Sequence, residues 1–144
     1  MKIRIIAVGK VKEIYLKQGV EDFAGRLGHY REIAKVEIIE INDLGIEKEA
    51  DRIIGMAGND FLVVLAEEGK SYGSGEFAGF IKKMNKDIVF VIGGPFGISD
   101  RLKKKANLLL SMSKMTFTHE MARLFLLEQL YRAFNIIKGM RYHK

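Results

Sequence analysis

The chain has 144 residues, 48% hydrophobic and 29% charged, with a formal net charge of +6. That length suits one domain with a real core, and that balance excludes a disordered chain. The absence of cysteine excludes disulfides, thiolate metal sites and cysteine nucleophiles, and fits an intracellular protein.

Lys2 to Val8 is β-branched and predicts a strand ended by Gly9. Residues near 12–29 show helical spacing through Ile14, Val20, Phe23, Ala24 and Leu27, with Gly28 as the stop. Lys35 to Ile41 predicts a second strand. Asn42 and Asp43 are candidate caps for a helix running to about Met56. The turn Gly58-Asn59-Asp60 leads into Phe61 to Leu65, apolar on both faces, as a central parallel strand requires. Glu67 to Gly75 predicts a loop, followed by a helix from about Gly75 to Met84 with Phe77, Phe80 and Ile81 inward. Asp87 to Ile92 is a fourth apolar strand, running into Gly93-Gly94-Pro95-Phe96-Gly97. Ser99 is the expected N-cap of a short basic helix, and Asn107 to Leu110 a fifth strand. A long helix then runs from near Thr118 to Lys138, stopped by Gly139. Strands alternate with helices, which predicts an α/β fold around a mainly parallel sheet sandwiched by helices, in one domain over 1–144.

Glycine lets backbone approach a ligand, and open α/β sheets bind ligands beyond the carboxyl ends of their strands. The loop 93–97 and the loop after Leu65 both lie at such ends, and flank one crevice if their strands are neighbours. The glycine spacing fits neither a dinucleotide nor a P-loop motif, and a tight turn explains it equally. Arg101, Lys103, Lys104 and Lys105 can contact phosphates, or form a solvated face. Ser111 to Thr116 has the small and hydroxyl side chains of a loop that can offer free backbone groups to a ligand. The terminal helix is apolar on several faces, so it is buried between layers or at a subunit interface. Glu128 and Arg132 are spaced for an i,i+4 ion pair. His119 reads as a helix-start histidine bonded locally. The three histidines, His29, His119 and His143, lie far apart and offer no metal-ligand spacing. No apolar run approaches a membrane span, and the N-terminus lacks the pattern of a signal peptide, so the expected location is cytoplasmic.

KIRIIAVGK at the start, LAEEGK at 65–70, VFVIGGPFGISD at 89–100, SMSKMTFTHEMARLFLLEQLYRAF at 111–134 and the closing YHK carry a resemblance. In these segments, in their order and in length, the sequence resembles the bacterial ribosomal large-subunit pseudouridine methyltransferase H family of the SPOUT class. Two positions depart from that pattern, Thr118 where the family often has proline and Ala66 where it often has aspartate.

The resemblance implies a SPOUT-type fold with a C-terminal trefoil knot, and a homodimer. It implies S-adenosyl-L-methionine-dependent methylation of N3 of a pseudouridine in 23S rRNA, on the ribosome, with no metal and no membrane. By motif, Leu65, Gly93, Met112, Ser113, Lys114, Met115, Thr116 and Phe117 would bind the cofactor. His143, Tyr142 and Arg132 would be catalytic, with Glu128 beside them and His143 as proton acceptor. Arg101, Lys103, Lys104, Lys105, Arg123 and Arg141 would hold RNA. A related knotted methyltransferase acting on another RNA, or a basic RNA-binding protein without catalysis, are the competing readings.

Overall fold

A computed structural model describes residues 1–143 of the chain. Its elements run β1 (Lys2–Val8), α1 (Ile14–Leu27), β2 (Lys35–Ile41), α2 (Ile46–Ala57), β3 (Phe61–Ser71), α3 (Ser74–Lys83), β4 (Ile88–Ile92), α4 (Asp100–Lys105), β5 (Leu108–Ser111) and α5 (His119–Lys138). The strands form one parallel sheet in the order β2-β1-β4-β3-β5. Both faces are covered, which is why β4 is buried at every residue. Ile3, Ile5, Val63, Phe90 and Leu110 pack on one face under α1, α3 and α5. Ile6, Val8, Val64 and Val91 pack on the other under α2 and α4. The expected α/β sandwich is therefore present.

Helix α5 is the deepest helix. Leu126, Leu127, Leu130, Ala133 and Phe134 are all fully buried, a stripe at helical spacing against the sheet. Thr118 caps its start by accepting the amide of Met121 at 3.1 Å, and Gly139 ends it in the left-handed conformation. Thr118 thus supplies a hydroxyl cap where a proline was the familiar residue.

Gly28 is the C-cap that ends α1, as expected, but its φ is −61° rather than left-handed and the chain tightens into a 3-10 turn over Gly28–Tyr30. Three local expectations change. Neither Asn42 nor Asp43 caps α2, whose N-cap is Gly45. Instead the buried Glu49 reaches back and accepts the Leu44 amide at 3.0 Å. Second, strand β3 does not end at Leu65. It bulges, so that both Leu65 and Lys70 pair with Leu110, and pairing resumes through Ser71. The Glu-Glu-Gly turn signal conceals this because the ladder is restored by a long-range partner. Last, Ser111 is the buried end of β5 rather than the start of a polar loop.

The bulge depends on Gly69. A Cβ there would sit 2.6 Å from the backbone carbonyl carbon and oxygen of Leu109. Gly69→Ala should therefore cost about 1–3 kcal/mol by overpacking, measured as a lower midpoint in urea unfolding with unchanged slope. Arg123 is 2% exposed and donates to Glu40 at 2.5 Å and to the Gly9 carbonyl at 3.0 Å. Glu40→Ala leaves that guanidinium buried with one acceptor fewer, and should cost about 2–4 kcal/mol in the same measurement.

Candidate active site

Because β4 and β3 are neighbours and β5 pairs with β3, the carboxyl ends of three adjacent strands meet. Their loops, with the start of α1 and the first turn of α5, enclose a cleft of about 1040 Å³. Leu65, Gly93, Met112, Ser113, Met115, Thr116 and Phe117 all line it. The crevice expected from the sequence is formed by the expected strand ends. Lys114 is exposed and is not among the lining residues. The cleft also contains residues that sequence reasoning did not assign, among them Glu13, Tyr15, His119 and Glu120. Glu13 and Tyr15 lie far along the chain from the other lining loops, the nearest of which begins at Leu65, and no local pattern marks them.

The wall is built for a mixed ligand. Ile92, Ile98, Leu65, Met112 and Phe117 supply apolar surface, and the Phe117 ring stands edge-on to Phe125 at 4.9 Å. Between β5 and α5, residues 112–117 make no backbone–backbone hydrogen bond among the described residues. Ser113 closes the turn internally, its carbonyl accepting from Ser111 Oγ at 3.1 Å and its hydroxyl from the Met115 amide at 2.9 Å. The remaining main-chain donors and acceptors of this half-exposed loop are free for a ligand, as buried or ligand-facing backbone demands. Gly93 turns the chain where a Cβ would meet the Gly97 carbonyl oxygen and the Ile98 side chain, each at 2.8 Å. That cradle fits an adenosyl group, with apolar walls for the base and main-chain groups for its edge.

A second cluster sits at the other end of α5. The Arg132 guanidinium donates to Glu128 at 2.8 and 3.3 Å, and Tyr142 donates its hydroxyl to the same carboxylate at 2.8 Å. Arg132 also donates to His143 Nδ1 at 3.1 Å and lies 4.8 Å from the Tyr142 ring centre. Tyr142 in turn stands edge-on to Tyr131 at 4.7 Å. Gln129 links Glu128 to Ser74 of α3. The tail is thus docked on the helix. Arginine can only donate, so Nδ1 is the acceptor and a neutral ring carries its proton on Nε2. Burial, reinforced by the bond to Glu128, raises the Tyr142 pKa, so the phenol stays protonated at neutral pH. The Glu128 hydrogen bond likewise raises that of Arg132, which stays charged.

The two clusters do not meet in one chain. From Glu120 to Arg132 the helix advances about 18 Å, and no described residue beyond Ala122 lines the cleft. The basic residues are also divided. Arg123 is buried and committed to Glu40 and Gly9, so it has no surface to offer RNA. Arg101 is held by Asp51 at 2.8 Å and Glu47 at 3.4 Å, and Lys103 by Glu68 at 3.2 Å. Lys104, Lys105 and Arg141 are exposed and make no ion pair among the described residues. Those residues also include no group of three or more His, Asp or Glu side chains placed to hold a metal, and no helix long and apolar enough to cross a membrane.

Comparison with known proteins agrees with this anatomy. The family model described as "Predicted SPOUT methyltransferase" matches residues 1–143. Ribosomal RNA large subunit methyltransferase H of Streptococcus uberis is 42% identical over 159 residues, covering 100% of both chains. The protein of that name from Coprothermobacter proteolyticus is 44% identical over 148 residues, again with 100% of both covered. Among solved structures, the tRNA (m1G37) methyltransferase of Aquifex aeolicus superposes with TM-score 0.53 at 16% identity, covering 92% of this chain and 70% of that one. A Legionella pneumophila protein solved with bound cofactor SAM gives TM-score 0.56 at 15% identity, covering 92% of this chain and 66% of that one. A parallel sheet whose adjoining strand ends open one cleft, and a family match that runs through nearly every residue, lead to the same place: this chain belongs to the SPOUT methyltransferase family.

Proposed function

We propose that the protein transfers a methyl group from S-adenosyl-L-methionine to N3 of a pseudouridine in 23S rRNA of the large ribosomal subunit, in the cytoplasm and on the assembled ribosome. The observation that carries this reading is the loop 112–117, which makes no backbone–backbone hydrogen bond among the described residues and lines one cleft with Leu65 and Gly93, in a chain whose full-length relatives bear the name rRNA methyltransferase. When bound, the cofactor supplies a methyl on a positively charged sulfur, open to attack by a nitrogen. The loop 112–117 and Gly93 hold the adenosyl part, while Leu65, Ile92 and Ile98 exclude water from it.

The acceptor nitrogen must lose its proton. Tyr142 is unsuited to take it, because its hydroxyl is donated to Glu128 and its pKa is raised. His143 is the acceptor in this reading, at Nδ1, once Arg132 turns from the ring to the incoming RNA. Arg132 fixes that tautomer beforehand, and Glu128 holds both Arg132 and Tyr142 in place. Lys104, Lys105 and Arg141 take RNA phosphates, with Arg101 and Lys103 joining by exchanging their acidic partners.

In this reading the protein is a homodimer, with the Arg132–Tyr142–His143 group of one copy completing the cleft of the other, and the separation of the two clusters supports it. Tyr15 and Met115, 66% and 77% exposed at the cleft, supply apolar surface for such contact. The strand order agrees with a C-terminal trefoil knot.

Purified protein given labelled cofactor and ribosomes or free large subunits should label 23S rRNA; cofactor binding without transfer to either would remove the assigned substrate. Gly93→Ala should weaken cofactor binding about tenfold or more in calorimetry, since its Cβ displaces the loop. His143→Ala should leave that affinity unchanged and slow turnover by about a hundredfold or more. Mixing Gly93→Ala and Arg132→Ala proteins should restore up to about a quarter of wild-type turnover, the share of intact composite sites in randomly mixed dimers. No recovery would show that each copy works alone.

A further inference from the structure

The start of α1 has no cap of its own. Its N-cap residue is Glu13, whose side chain makes no capping bond, and its first turn has no acidic residue. Helix starts leave amides without partners, and a nearby carboxylate usually answers them. Here the carboxylate comes from more than a hundred residues away. Glu120 Oε1 accepts the amides of Lys12 at 2.8 Å and Glu13 at 3.2 Å.

One turn further along α5, the buried Arg123 donates to the Gly9 carbonyl at 3.0 Å. The turn 9–13 is therefore gripped at both ends by the first turn of α5. What that turn carries is one side of the cleft, namely Glu13, Tyr15 and Leu16. The facing side is the loop 112–118, which runs straight into α5 and whose last residue caps it. A single carboxylate thus ties together the two sides between which the cofactor must fit. Burial alone would raise the Glu120 pKa, but the Glu13 and Lys12 amides, with His119 and Arg123 nearby, outweigh it and keep it below the ordinary carboxylate value.

We propose that Glu120 is a positioning residue for the cofactor, setting the distance between the Glu13–Leu16 wall and the 112–118 loop through its bonds to the Lys12 and Glu13 amides. This rests on the cofactor reading above. Glu120 need not touch the ligand; it fixes the frame that does.

The test uses the full chain with Glu120→Ala and Glu120→Gln, and with Tyr30→Phe as a variant that loses a hydrogen bond to the buried Asn135 elsewhere. Three quantities are read, namely S-adenosylmethionine affinity by calorimetry, thermal midpoint, and amide exchange over residues 9–16. Glu120→Ala should lower affinity about tenfold, the scale of losing one charge-assisted hydrogen bond, and should release protection at Lys12 and Glu13. Glu120→Gln keeps one acceptor oxygen and should fall between alanine and wild type. Tyr30→Phe should lower the midpoint with affinity unchanged. A Glu120→Ala protein that loses thermal stability yet binds the cofactor as wild type does would overturn the proposal and leave Glu120 as an ordinary cap. Wild-type protein that binds no S-adenosylmethionine would instead overturn the cofactor reading, and this proposal with it.

Discussion

The burial of α5 against the sheet is the constraint on which the rest depends. Leu126, Leu127, Leu130, Ala133 and Phe134 lie between α1, α3 and the strands with no exposed surface. A helix held along that stripe is a ruler, since its rise per residue is fixed. Its first turn must then stand beside the strand ends, where Thr118 and Glu120 line the cleft and Arg123 ties down the turn at Gly9. Its last turns must stand far from that cleft, where Glu128 and Arg132 gather the tail. The hydrophobic packing thereby keeps the cleft and the Glu128–Arg132 cluster apart within one chain, which is why the proposed function makes them halves of a shared site.

Charge is distributed with a similar economy. The chain is basic as a whole, yet its cleft is lined by Glu13, Glu67, Glu68 and Glu120 against Lys103. Several cations suited to phosphates are already engaged with acids, so the surface free for RNA is smaller than the net charge suggests. Exposed pairs of this kind are weak, and exchanging a carboxylate for a phosphate costs little. Arg123 is the contrary case, because its guanidinium is buried and its two partners lie on β2 and at the end of β1. Withdrawing such a group from its partners is costly, which makes it a structural tie and removes it from the RNA-facing set.

Local pattern was enough for the parts that local physics decides. The apolar runs at Phe61 to Leu65 and Ile88 to Ile92 became central strands because only a fully covered strand tolerates apolar residues on both faces. Ser99 and Gly139 terminate helices as their side chain and its absence dictate. The loop 112–117 was legible because small and hydroxyl residues stand between two strongly patterned elements. The continuation of β3 past Glu67-Glu68-Gly69 was not legible, since nothing near those residues announces that Leu110 and Ser111 will pair with Lys70 and Ser71. Nor was the bond by which Glu49, inside α2, accepts the Leu44 amide ahead of that helix.

By itself, then, the sequence determined the alternation of strands and helices, the loops at the strand ends and, through its resemblance, the family. Periodicity, capping chemistry and backbone freedom act over a few residues, and those are written along the chain. The tertiary structure decided which polar side chains are free. Arg123 was withdrawn into the core, Glu120 was turned from a helix-start acid into the cap of a distant helix, and Tyr142 and His143 were fastened to Glu128 and Arg132. A buried polar group must find a partner, and that partner is chosen by which elements pack together, over separations of up to a hundred residues and more.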